Sequence, residues 1–290
     1  MSGMFSAYVI SVLLKKRFLV TYSRPSNFTD YIIPNSFDWR YNSSILSGRT
    51  SLFLNFFCRV PVPIRNKDTK SLGNIFKADV TFVRMNWDYT LHFRRFKSLH
   101  KAIPWIFNLQ FADIYVKFFN TLFKPVDDIV ETINKTLRSV TKLACAHIRM
   151  GGNETQDHQR TDRKQLIHIW NFLKTKEDNY SIFIATDSEL VRNTAKSLFK
   201  QILEVKGRIL HIDQNPAGSG VTNGYKKVAT DFFLLSKCDV LMLTRSGFGM
   251  MSAYLNTNNP SLYCLVKDEV VPCSRYTLHN YYPGEILSPY

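Results

Sequence analysis

The sequence predicts an α/β protein built on a parallel, doubly wound sheet, and three observations carry that prediction. Its second half alternates short apolar runs with amphipathic stretches. That rhythm places strands at 143–149, 181–186, 208–212, 239–243 and 261–266, and helices near 162–175, 188–203, 224–237 and 248–256. Two of the strands run into glycine: His147-Ile148-Arg149-Met150-Gly151-Gly152 closes the first, and Thr244-Arg245-Ser246-Gly247-Phe248-Gly249 closes the fourth. Eight of the 12 glycines lie between Gly151 and Gly249, so backbone freedom is concentrated beyond the carboxyl ends of the strands, where open α/β sheets bind ligands.

The first half opens with an apolar run at 4–14, which reads as a buried helix entering a strand at 18–22. The run is too short to cross a bilayer, and Lys15-Lys16-Arg17 follow it where a secretory leader would carry its charges ahead. Pro25 and Pro34 punctuate the next loop, and the alternation at 79–85 predicts a strand. The aromatic-rich region 90–122 reads as helical, broken at Pro104, with its Phe residues serving a core. Pro125 suits the first position of a helix over 126–140. Two domains are expected, 1–124 and 125–290.

The chain has 290 residues, 45% of them hydrophobic, enough for a large core. Its net charge of +15 is dispersed, and no RNA-binding or helix-turn-helix signature accompanies it, so no nucleic-acid partner is expected. A phosphorylated small molecule is the anion that the Arg-bearing strand ends suit. None of the five cysteines has zinc spacing. Cys145 and Cys238, at core-strand edges, read as buried free thiols, whereas Cys264 and Cys273 flank a hairpin-like segment where pairing and free thiols are both open. Sequons at Asn27, Asn42, Asn134, Asn153 and Asn179 suit a secretory protein.

The candidate site residues follow from the strand ends. A strand feeding a Gly-rich turn at a helix N-terminus points free N–H groups at an anion, which selects Ser246, Gly247, Phe248 and Gly249. Arg149, followed by Gly151-Gly152, supplies a guanidinium fork for phosphate oxygens. His147 shares its sheet face by alternation and reads either as a ligand contact or as a core histidine. Asp187 fits both a helix cap and a ligand contact. Asp231 reads as a carboxylate one turn into a helix, where the dipole favours it. Glu154 and Asp157 lie in the polar loop after Gly152. No Asp-x-Asp pair, Walker A motif or hydrolase elbow is present, so no metal site is expected.

The blocks HIR-x-G, IFIATDSELVRNTAK, HIDQN and TDFFLLSKCDVLMLTRSGFG resemble, in order and spacing, the fucosyltransferase superfamily with the two-Rossmann GT-B fold, over about residues 143–256. GMFSAYVISVLLKKRFLV and PNSFDW are similar to its first helix and following loop. The resemblance implies GDP-fucose as donor substrate with no further cofactor, an inverting and metal-independent transfer to a glycan or glycoprotein, and a lumenal compartment, Golgi or ER. Carried over by position, Arg149 holds the β-phosphate and His147 lies on the guanosine side. Asp231 hydrogen-bonds guanine, Ser246, Gly247 and Phe248 surround the diphosphate, and Asp187 shapes the donor pocket. Asp157 stands ten residues past the motif His, the offset of a candidate base, with Glu154 as the other carboxylate. Residues 1–124 would form the acceptor side. Met150 stands where the α1,6 and α1,2 patterns carry a second Arg, and Asn153 where the α1,6 pattern has Lys. The family opens with a strand and a Gly-rich turn ahead of its first helix, and this chain begins inside that turn. The N-terminal Rossmann-like domain is therefore expected to be incomplete and the membrane anchor absent from this chain. A non-catalytic relative that binds a nucleotide sugar is the alternative.

Overall fold

The computed structural model describes residues 2–22, 26–56, 64, 67–152, 158–210 and 220–286. Contacts cluster into two units. One comprises residues 1–21, 34–122 and 283–290, and the other 22–33 and 123–282.

The first unit holds α1 (Ser2–Leu13), the parallel strands β2 (Ser51–Phe56) and β3 (Val80–Met85) with α2 (Thr69–Ile75) between them, short helices α3 (Thr90–Phe93) and α4 (Lys97–Ala102), and α5 (Phe111–Leu122). Phe5 of α1 is fully buried, edge-on to Tyr115 of α5 at 4.9 Å and 5.7 Å from Phe118. Burying one such ring stabilises by about 1.5–3 kcal/mol, so the phenylalanines of α5 form a core. Residues 90–122 are not one helix. A 3-10 turn at Pro104–Ile106 separates the short helices from α5, because proline cannot donate the next helical hydrogen bond. The strand expected at 18–22 reduces to a single bridge, Val20 to Arg40.

The second unit carries the site. Short strands β1 (Ile32–Pro34) and β4 (Phe123–Pro125) pair with each other, and α6 (Asp127–Leu137) follows, capped by Val126 so that Pro125 precedes the cap. Then come β5 (Leu143–Ile148), α7 (Leu166–Lys174), β6 (Ser181–Thr186), α8 (Glu189–Leu198), β7 (Ile202–Leu203), α9 (Val221–Leu235), β8 (Val240–Leu243), α10 (Gly247–Leu255), β9 (Ser261–Val266), β10 (Glu269–Cys273) and α11 (Leu278–Tyr281). The sheet order is β10-β9-β8-β5-β6-β7, parallel except for the β9–β10 hairpin. All six residues of β5 are buried, as a central strand with both faces covered requires. Asp239 aligns the strand starts by accepting the Leu143 N–H at 2.7 Å.

Two sequence expectations change here. The edge strand lies at Ile202–Leu203, and residues 208–210 form no strand. Leu210 is instead buried against α9, where Gly224 leaves room for it: a Cβ there would stand 2.4 Å from the Leu210 Cδ1. Residues 211–212 of the expected strand, with the rest of HIDQN, lie outside the described residues. Cys145 and Cys238 are not free thiols, since they form a disulfide that ties β5 to the α9–β8 junction, and Cys264–Cys273 staples the β9–β10 hairpin. Two disulfides fit a non-cytosolic protein. No described helix is long and apolar enough to cross a membrane.

Candidate functional site

The carboxyl ends of β5 and β8 are joined by one hydroxyl. Thr244, 1% exposed, donates to the His147 carbonyl at 3.2 Å and accepts the Arg149 N–H at 2.8 Å. The parallel register of β5 and β8 sets His147 opposite Leu243, which places the Thr244 hydroxyl beside the His147–Arg149 backbone. Arg149 therefore leaves the strand with its backbone fixed. A second hydroxyl, Thr161, donates to its carbonyl at 2.7 Å.

The Arg149 guanidinium donates from Nη1 to Asp187, and both side chains are 8% exposed. Asp187 also accepts the N–H groups of Met150, at 2.7 Å, and Gly151, at 3.0 Å. Gly151 adopts φ +66°, which lets the chain fold back over the carboxylate, and a Cβ there would lie 2.1 Å from the His158 carbonyl. Of the two alternatives the sequence offered, Asp187 is not the helix cap. Ser188 stands at the N-cap of α8, and the Asp187 carboxylate fills the anion nest made by Arg149, Met150 and Gly151. The Gly152 N–H is taken by the His158 carbonyl at 3.4 Å. Met150 is buried in the apolar core beneath β5 and adds no charge to the site.

The second strand end behaves differently. Ser246 caps α10, its hydroxyl accepting the Phe248 N–H at 3.3 Å. The other first-turn N–H groups have no intrahelical carbonyl, and the positive end of the helix dipole lies there. Gly249 packs directly on His147: a Cβ would meet the ring Nδ1 at 2.7 Å. Phe248 lies 5.3 Å from the same ring and 5.4 Å from Phe232.

His147 is 5% exposed and its Nδ1 has no hydrogen-bond partner among the described residues. Burial pushes its pKa down to about 4, with Asp187 opposing and Arg149 reinforcing the shift, so it is neutral at physiological pH. The neutral ring in the fold, against an ordinary histidine near 6.5 in the unfolded chain, makes the unfolded state bind the extra proton between pH 6.5 and 4. The stabilising contribution is complete above pH 6.5 and is lost as pH falls towards 4. Urea unfolding at pH 7 and pH 4.5 is expected to show His147→Gln losing roughly 2–3 kcal/mol less than the parent over that interval. An unchanged pH slope would overturn the buried neutral ring.

Asp231 lies beyond the second turn of α9, so the N-terminal dipole does not account for it. It is 5% exposed and its partner is Lys227, one turn earlier, at 2.5 Å. Lys227 is itself 4% exposed, and sequence reasoning passed over it; a Lys four residues before an Asp on one helix face is the signal that was there. Burial pushes the Asp231 carboxyl up to about 6, with Lys227 and Arg192 holding it back. Its Oδ1 is buried with no hydrogen-bond partner among the described residues.

The structure thus brings Arg149, Asp187, His147, Gly151, Ser246, Phe248 and Gly249 together, whereas Asp231 lies on α9 paired with Lys227. Glu154 and Asp157 lie outside the described residues. Among the described residues no cluster of three His, Cys, Asp or Glu is arranged to hold a metal ion.

No protein-family model matches the chain, and no curated protein sequence matches it. Solved structures do. A mutant of FUT1 from Arabidopsis thaliana in complex with GDP superposes with a TM-score of 0.61 at 11% identity, covering 94% of this chain and 70% of that one. The fucosyltransferase NodZ from Bradyrhizobium gives 0.53 at 13%, covering 94% and 93%. NodZ α-1,6-fucosyltransferase soaked with GDP-fucose gives 0.53 at 15%, covering 93% of each chain. By its sheet order, its strand-end geometry and these superpositions, the chain has the GT-B fold of the fucosyltransferases.

Proposed function

We propose that the chain is an inverting glycosyltransferase that moves fucose from GDP-fucose to a glycan or glycoprotein acceptor. The observation that supports this most is the pair of strand ends. A buried Arg149, fixed through Asp187 and Thr244, leaves β5, and the N-terminus of α10 follows the neighbouring β8; there the Ser246 hydroxyl takes the Phe248 N–H, and the Gly247 and Gly249 N–H groups have no partner among the described residues. Such an arrangement suits a diphosphate leaving group. The acceptor oxygen attacks the anomeric carbon as the bond from that carbon to the diphosphate oxygen breaks. The acceptor proton goes to a carboxylate, Asp157 or Glu154, and GDP departs into preorganised N–H groups. Asp231, whose Oδ1 has no partner among the described residues, takes an N–H of the base, and His147 lies on the nucleoside side. Residues 1–124 recognise the acceptor, and residues 125–290 bind the donor. The compartment is the secretory lumen, Golgi or ER, a placement that the two disulfides support.

A second reading, a donor-binding relative without transferase activity, is favoured by one observation. Asp187 already offsets the Arg149 charge and uses two of the backbone amides near it. The two readings separate in one experiment. GDP binding by calorimetry tests the site, and release of fucose from GDP-fucose tests catalysis. Binding without turnover supports the second reading, and absence of both overturns each of them.

The donor site has no carboxylate pair of the Asp-x-Asp kind in its sequence. GDP affinity is therefore expected to persist in excess EDTA. Loss on chelation, restored by manganese or magnesium, would overturn metal independence.

A further inference from the structure

The parallel sheet has two rims. The carboxyl ends of its strands carry the site, and the amino ends carry none of the residues assigned above. Two of the five sequons fall on that amino rim. Asn134 lies in the last turn of α6, nine residues before β5 begins. Asn179 lies in the turn between α7 and β6, two residues before Ser181 opens the strand. The two stretches are neighbours: the Ser181 N–H donates to the Lys142 carbonyl at 3.0 Å, and the Lys142 ammonium lies over the Tyr180 ring.

Both asparagines are exposed, and neither side-chain amide is engaged by another described residue. That sets them apart from the other described sequons. The Asn27 amide donates to Asp30 at 3.2 Å and accepts the Thr29 hydroxyl at 3.1 Å, and Asn42 accepts the Ser44 N–H at 3.0 Å to cap a 3-10 turn. A large substituent at Asn27 or Asn42 disturbs a local turn. At Asn134 or Asn179 it extends into solvent and displaces no hydrogen bond of the fold.

We propose that Asn134 and Asn179 are N-glycosylated and that their glycans cover the amino-terminal rim of the sheet, leaving the carboxyl rim as the open face. The modification needs an N–H of the amide, a hydroxyl residue two positions on, and an oxidising lumenal compartment. Thr136 and Ser181 supply the hydroxyls, and the Cys145–Cys238 and Cys264–Cys273 disulfides support the compartment. In the transfer, the asparagine Nδ2 bonds to the anomeric carbon of an oligosaccharide carried on a lipid diphosphate and gives up a proton to a basic group of the transferring enzyme. The bond from that carbon to the diphosphate oxygen breaks, and the lipid diphosphate leaves with the electron pair. Nothing in this inference rests on the chain being a fucosyltransferase.

The test is peptide mass spectrometry of the protein isolated from the cells that make it, after release of N-glycans by peptide N-glycanase in heavy-oxygen water. Asn134 and Asn179 are expected to appear as heavy-labelled Asp, and Asn179→Gln and Ser181→Ala are each expected to lose the same single glycan on a gel. The variants Asn134→Gln and Thr136→Ala should remove the other. Unlabelled Asn at both positions overturns the proposal, as does labelling confined to Asn27 and Asn42. Labelling at one of the two overturns the shared glycan face.

Discussion

Arg149→Lys is expected to lower GDP affinity by roughly 30-fold to several thousandfold, the equivalent of losing about 2–5 kcal/mol from a buried charge-assisted contact. The charge survives the substitution, but the planar fork does not. In the native chain one end of the guanidinium is committed to Asp187, so only a group with several fixed donors can bond that carboxylate and a phosphate oxygen together. Lysine presents its donors from a single nitrogen and has to choose. With Asp187 fixed by the Met150 and Gly151 amides, the lysine is expected to stay on the carboxylate. The fold should persist, because the buried carboxylate keeps a cation and two N–H donors. Calorimetry and thermal unfolding on the same sample check both halves. Unchanged GDP affinity in a folded Arg149→Lys protein would remove the phosphate role from Arg149.

That argument rests on a residue whose type was legible in the sequence and whose partner was not. Arg149 is marked by its place after an apolar run and before a glycine pair. Asp187 was visible as a carboxylate at the next strand end, but the period of a strand says nothing about which way the loops after two strands fold. Only the β5–β6 register, which sets Ile148 opposite Thr186, brings them within bonding distance. Four of the six strands of the main sheet, β5, β6, β8 and β9, follow a two-part alternation that survives in the sequence. The edge strand does not, because Ile202–Leu203 is two residues long and carries no period, while the more strand-like run at 208–212 yields to packing of Leu210 on α9. The Cys145–Cys238 bond was illegible for a similar reason. Its cysteines are 93 residues apart, and only the adjacency of β5 and β8 sets them side by side. Lys227 was a matter of attention more than of information. Its spacing from Asp231 is local, but a lysine on a helix face is ordinarily solvated, and its burial is a tertiary fact.

The two glycines of the β8–α10 turn are expected to fail in different ways. Gly249 is a packing residue. A Cβ there would lie 2.7 Å from the His147 Nδ1 and 3.1 Å from the Leu243 Cδ2, and both neighbours are buried and unable to withdraw. Gly249→Val is therefore expected to destabilise the fold by about 1–3 kcal/mol or more, since overpacking a fixed core forces rings off their rotamers. Gly247 stands at the first position of α10, outside the left-handed region, so a side chain there strains no backbone angle. Gly247→Val should fold with nearly the parent's urea midpoint. Its branched side chain would cover the first-turn amides, and GDP binding is expected to fall by at least tenfold. The contrast is the test: one variant loses stability, the other loses ligand at unchanged stability. If Gly247→Val binds GDP as the parent does, the diphosphate does not sit on α10. The alternative nest at Gly151-Gly152 cannot take its place, because the Met150 and Gly151 amides already serve Asp187 and the Gly152 amide serves His158. That single result would therefore overturn the strand-end reading of the donor site, and with it the proposal that this GT-B chain uses GDP-fucose.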